Sequence, residues 1–174
     1  MSVDLTLPAS SSPAIDPYKD QPEELLPFAL FVHVPLAGGD EELASIEAAC
    51  NSQTEGVDAV QRAVPRHDFT GQPLRAALSE HLDKLLPTGR FSPFYFAAVV
   101  DADWKEKGLI IVTMNDWSDE ENWHIDQLRV PVDDVGLALV NLQIANTDWE
   151  ELKEQYEEGD DEEDDKGEDD DDDN

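Results

Sequence analysis

Cys50 is the one thiol in this chain, and His33, His67, His81 and His124 are the four imidazoles that could activate it as a nucleophile. That chemistry needs a base within hydrogen-bond reach of the sulfur. Cys50 closes a helix-spaced apolar series with Leu43, Ile46 and Ala49, a setting in which cysteine behaves as a small buried hydrophobe. His33 sits inside an apolar run and His81 inside a helical one. No His-x-x-x-His or Cys-x-x-Cys spacing occurs, so no zinc or other transition metal and no cofactor is expected, and the chain leans away from being an enzyme.

Asp101 and Asp103 follow the most strand-like segment, the position where open α/β sheets gather ligands. Two carboxylates there could hold a hard cation, but Lys105 and Lys107 fill later alternate positions of a calcium-type loop. A solvated hairpin turn is the simpler reading. Gly38-Gly39 stands between a strand-like run and a helix, the place of an anion site. The phosphate-loop patterns are incomplete, however, and Asp40, Glu41 and Glu42 would repel a phosphate.

Charge is the stronger signal. Residues 150–174 hold seventeen carboxylates and two lysines, which is −15 of the formal −31. Residues 1–149 add twenty-five Asp/Glu against nine Lys/Arg, so the body is acidic too. A nucleic-acid ligand needs clustered Lys and Arg, so direct binding of one is not expected. The natural partner is a basic protein, histone-like or ribosomal-protein-like. Trp104, Trp117 and Trp123 lie in the acidic stretch 101–126, and aromatics among carboxylates can stack on and pair with Arg or Lys. The expected contact residues are Trp104, Asp116, Trp117, Asp119, Glu120 and Glu121, with the tail run Asp169, Asp170, Asp171, Asp172 and Asp173. For Trp123 and Trp149 the simpler reading is packing against a sheet.

The leading expectation is thus a non-enzymatic interaction protein, acidic and chaperone-like, whose tail binds by many screened ion pairs. Mere solubilisation is the plain alternative for the tail. Two others are a small-ligand or enzymatic site near Asp101 and Asp103, and a DNA-mimic inhibitor whose body carboxylates imitate phosphates.

The elements that must position these residues are legible in part. Residues 1–26 contain Pro8, Pro13, Pro17, Pro22 and three consecutive serines, and read as a flexible leader. Residues 27–153 read as one α/β domain with a mixed sheet covered by helices, and residues 154–174 as a disordered acidic tail. Within the domain the patterns predict strands at 28–34, 57–64, 91–100, 108–114 and 123–132. They predict helices at 41–51, capped by Asp40, at 73–86, and from Asn146 or Thr147 onward. The apolar block 135–144 has no assigned state. The first three strands are expected to pair in parallel, and the loop 101–107 to join the third and fourth as an antiparallel hairpin.

The segment Leu142-Gln143-Ile144-Ala145-Asn146-Thr147-Asp148-Trp149-Glu150-Glu151-Leu152 resembles the end of an uncharacterised domain family of small fungal and bacterial proteins, whose members share an Ile-Ala-Asn-x-Asp-Trp/Phe ending. The resemblance covers about residues 27–153 and implies the domain limits, with no activity attached. The single cysteine permits no internal disulfide, and neither a secretory signal nor an eighteen-residue apolar span is present, so the expected compartment is cytoplasmic or nuclear.

Overall fold

The computed structural model describes residues 2–8, 25–54, 58–62, 69–116 and 124–165, with residues 62, 115–116, 124 and 158–165 described through the backbone alone. Five strands form one mixed sheet in the order β2-β1-β3-β4-β5. β1 (Phe28–Val32) and β3 (Tyr95–Val99) are its centre, and every residue of both is buried. Continuous runs such as Phe-Ala-Leu-Phe-Val are what a strand needs when both faces of its sheet are covered. β1 pairs in parallel with β2 (Val60–Arg62) and with β3, as the sequence predicts. β3, β4 (Leu109–Asp116) and β5 (His124–Val130) then form an antiparallel meander. The chain is therefore an α/β protein with a mixed sheet covered by helices.

One face carries Phe28 against Tyr95 and is covered by α1 (Gly39–Cys50), α4 (Val135–Gln143) and α5 (Trp149–Asp165). α1 buries Leu43, Ile46 and Cys50, the expected stripe. α1 and α4 touch closely at Gly136, where a Cβ would run into the Cys50 carbonyl oxygen. α4 occupies the block the periodicity did not assign. Its sequence is apolar nearly all round, and buried helix and buried strand look alike in such a run. Among the described residues no helix is long and apolar enough to cross a membrane.

On the opposite face, Phe31 makes edge contacts with Phe69 and Phe96, and α2 (Leu74–Glu80) covers them. The expected single helix at 73–86 is in fact α2 followed by a π-helical turn, His81–Leu85, and a short 3-10 turn ending at Gly89. The wider turn brings His81, Leu82 and Leu85 all inward. Residues 2–8, within the leader, lie on this face as well, with Val3, Leu5 and Leu7 packed against the core and the residues between them exposed.

Local chemistry moved two helix starts. α1 has Gly38, not Asp40, at its N-cap, so Asp40 lies in the first turn. At α5 Asp148 takes the cap in place of Asn146 or Thr147. Its carboxylate accepts the Glu151 N–H at 2.9 Å, and the Glu151 carboxylate accepts the Asp148 N–H at 3.1 Å, a reciprocal capping box. The loop 101–107 closes the β3–β4 hairpin as expected, but contains a one-turn helix, α3 (Trp104–Lys107).

Candidate functional site

β1 and β3 are parallel and adjacent, so their carboxyl ends open on the same edge of the sheet, and the start of α1 meets α3 there. Between them lies a cleft of about 490 Å³ lined by Gly38, Glu41, Glu42, Ser45 and residues 102–106. Its floor is fixed by one carboxylate. Glu42 accepts the Trp104 indole N–H at 2.9 Å on one oxygen and the Gly38 N–H at 2.9 Å on the other. The Trp104 hydrogen bond first, then that from Gly38, holds the Glu42 carboxyl below the usual range. Glu42 is thus an ionised tie between the α1 start and the β3–β4 connection.

Around that tie the rim is acidic. Glu41, Asp103 and Glu106 are exposed, and among the described residues no ion pair holds any of them. Lys105 is the cation of the rim, and its Nζ lies 5.5 Å from the Trp104 ring centre. Asp101 and Asp103, adjacent in sequence save one residue, are used differently. Asp103 lines the cleft, whereas Asp101 receives Arg129 at 2.7 Å and has Lys107 at 3.9 Å, binding the loop to β5. The arrangement favours a cationic group over an anion.

Trp104 itself is buried, with 4% of its surface exposed, so most of its ring is packed inside and its N–H is already engaged. Asp116 ends β4, and only its backbone is described. Trp117, Asp119, Glu120 and Glu121 lie outside the described residues, as do Asp169, Asp170, Asp171, Asp172 and Asp173.

A second carboxylate repeats the Glu42 pattern. Asp126 on β5 accepts the Trp149 indole N–H at 2.9 Å and pairs with Lys153 at 3.1 Å. Burial pushes the Asp126 pKa up, but hydrogen bonds from Trp149, the Gln127 N–H and Lys153 outweigh it and leave the carboxyl below its ordinary value. Trp149 and Leu152 are buried, and Tyr156 donates to Asp134 at 3.1 Å, so three residues of α5 fasten it to the body. Burial and then the Asp134 charge push the Tyr156 phenol up to about 12. Glu150, Glu154 and Glu157 form an exposed row on the same helix. No spacing argument from the sequence found the two indole–carboxylate ties, because each joins segments far apart in the chain.

Among the described residues, thiol and imidazole chemistry finds no site. Cys50 is fully buried, and burial, then the nearby Glu47 and Asp133 charges, push its thiol up to about 12. His33 donates from Nδ1 to the Gln72 carbonyl at 3.0 Å, and His81 from Nε2 to the Pro93 carbonyl at 3.0 Å. Their other ring nitrogens are buried without a partner. Burial lowers the pKa of both, that of His81 to about 4. Each ring instead packs on the aromatic core, His33 on Phe69 and His81 on Phe96. His67 lies outside the described residues, and so does the His124 side chain. Among the described residues no three His, Cys, Asp or Glu side chains gather as a metal-ligand group.

No family model matches the chain, and no curated protein or solved structure matches it.

Proposed function

We infer that this protein binds a basic protein partner through an acidic arm that begins at α5 and continues into residues 166–174. The observation that carries this reading is the exposed row Glu150, Glu154 and Glu157 on a helix whose other side is fastened by Trp149, Leu152 and Tyr156. Like charges at i, i+4 destabilise an isolated helix, so this row is tolerated because packing holds the helix. A row of Lys or Arg laid beside it relieves that repulsion. The fixed first turns would set the direction of the arm, and the carboxylates beyond them add screened attraction. The exposed rim Glu41, Asp103 and Glu106 supplies a further acidic surface on the body. We propose that the chain shares its domain limits, about residues 27–153, with the uncharacterised family that residues 142–152 resemble.

The test compares the full chain with one ending at Glu157, which keeps every contact that fastens α5. Binding to a lysine-rich histone-type protein is measured over a salt series. The expected result is tight binding by the full chain at low salt that falls steeply toward 0.3 M, and binding at least tenfold weaker by the shortened chain. Equal binding by the two chains would confine the contact to the row Glu150, Glu154 and Glu157 that both retain and overturn the extended arm, and no binding by either would reduce the arm to a solubilising segment.

A second reading rests on the cleft at the β1 and β3 ends, whose size and unpaired carboxylates fit a small cationic ligand such as a polyamine. Spermidine titrations of the full chain with and without the paired changes Glu41→Gln and Asp103→Asn separate this reading from the arm. Only a cleft ligand loses affinity there while the arm is intact.

A further inference from the structure

Residues 2–8 alternate exposed and half-buried, with Val3, Leu5 and Leu7 turned to the core. They lie between the first turn of α2 and strand β5, held by a short set of contacts. The Leu74 N–H donates to the Asp4 carbonyl at 2.9 Å, the Gln127 amide donates to the Leu5 carbonyl at 2.6 Å, and Arg75 pairs with the Asp4 carboxylate at 2.7 Å. Asp4 also accepts the Thr6 N–H at 3.0 Å. This is how an extended peptide is received in a groove: backbone groups for affinity, alternate side chains in apolar sites, one charge for register.

We propose that the groove between α2 and β5 is a recognition site for extended protein segments, occupied in cis by residues 2–8. Its specificity is apolar residues at alternate positions with a carboxylate between the first two, as in Val3-Asp4-Leu5-Thr6-Leu7. Arg75 reads the carboxylate, and Gln127 reads the backbone carbonyl of the second apolar position, Leu5. Sixteen residues, 9–24, separate the segment from the described chain that leads into β1. That covalent connection makes occupancy by residues 2–8 intramolecular, an advantage that a partner segment in trans must outcompete. The occupant in trans is a segment of a different protein, because two chains of formal charge −31 repel each other. The groove lies on the opposite face of the sheet from α5, so filling it leaves the acidic arm unobstructed.

The experiment uses the full chain with a protease recognition sequence placed within residues 9–24. After cleavage, a fluorescent peptide of residues 1–8 is added and its anisotropy followed. Exchange of the labelled peptide into the cleaved chain is expected, with binding at least tenfold weaker to the uncleaved chain. An Asp4→Ala peptide is expected to bind several-fold more weakly, and Arg75→Ala in the chain to abolish that difference. Retention of the cut segment with no exchange over a day would make residues 2–8 a fixed part of the fold and overturn the proposal. Equal binding of the Asp4→Ala peptide overturns it as well, since the register contact would then be absent. Concentration-dependent dimers of the uncleaved chain in sedimentation would replace the foreign segment with a second copy and overturn the stated occupant.

Discussion

Trp104 and Trp149 solve the same problem at opposite ends of the molecule. Each is buried, and each donates its indole N–H to a carboxylate at 2.9 Å, Glu42 in one case and Asp126 in the other. A buried indole needs a partner for that N–H, and an acidic chain has carboxylates to offer. The two ties differ in what completes them. Asp126 has a cation in Lys153 and carries a long helix, α5. Glu42 instead takes a second hydrogen bond from the Gly38 backbone and carries only a loop. The lesson is that tryptophan next to acid in this sequence marks an internal tie at least as readily as an exposed surface for a basic partner.

The sharpest way to break the comparison is truncation of each ring. Trp149→Ala and Trp104→Ala should each cost about 3–5 kcal/mol in denaturant unfolding. Their local effects should diverge. Hydrogen exchange should show α5 amides losing protection in Trp149→Ala and keeping it in Trp104→Ala, since only the first removes an anchor of that helix. If α5 stayed protected in both, Leu152 and Tyr156 would be its true anchors.

Removal of the carboxylates is the next step down. Asp126→Ala should cost about 1–3 kcal/mol, because it strands a buried indole N–H and frees Lys153, whereas Glu42→Gln, which keeps one acceptor oxygen for the Trp104 and Gly38 N–H groups, should cost less. The difference should survive 1 M salt, as hydrogen bonds rather than exposed charge carry most of it. A similar loss in both variants would show that Lys153 adds little.

Acidification tests the same pair from the proton side. Both carboxyl pKa values are lowered on folding, so the stability they contribute is present above the unfolded carboxylate values and is lost as pH falls through the folded ones. The buried histidines act at higher pH. Their folded pKa values lie below 6.5, so the unfolded chain takes up protons first and stability falls from pH 6.5 toward about 4, where folded His81 also titrates. His81→Gln should flatten the curve in that window and leave the part below pH 4 unchanged. A curve of unaltered shape would remove His81 from the account.

The smallest expected effect lies just before the Trp149 tie. Ala145 has φ 60°, and with Asn146 it closes α4 by two N–H bonds, to Leu142 and Asn141, in a Schellman arrangement. A Cβ in that left-handed conformation is strained, so Ala145→Gly should raise stability by about 0.5–1 kcal/mol in thermal or denaturant melts. A loss instead would mean that the flexible glycine weakens the entry into α5.

Much of the fold could be read in advance because it depends on local pattern. The runs that became β1 and β3, the Leu43–Ile46–Cys50 stripe, and the parallel-then-antiparallel pairing all follow from periodicity and connection length. α4 escaped because a helix buried nearly all round has no polar face to reveal its period. The segment 2–8 escaped because proline and serine nearby masked a short alternation of Val3, Leu5 and Leu7. The candidate cleft was legible only as a place, the strand ends after β3. That Asp103 lines it while Asp101 is spent on Arg129 depends on where β5 comes to lie.

By itself the sequence determined the charge and most of the runs that form helix or strand, because composition and short-range period are properties of neighbouring residues. Tertiary structure alone decided that Trp104 and Trp149 turn inward, that Glu42 and Asp126 are their acceptors, and that residues 2–8 fill a groove. Those contacts join positions 23 to 122 residues apart, and only the folded sheet brings their atoms within hydrogen-bonding distance.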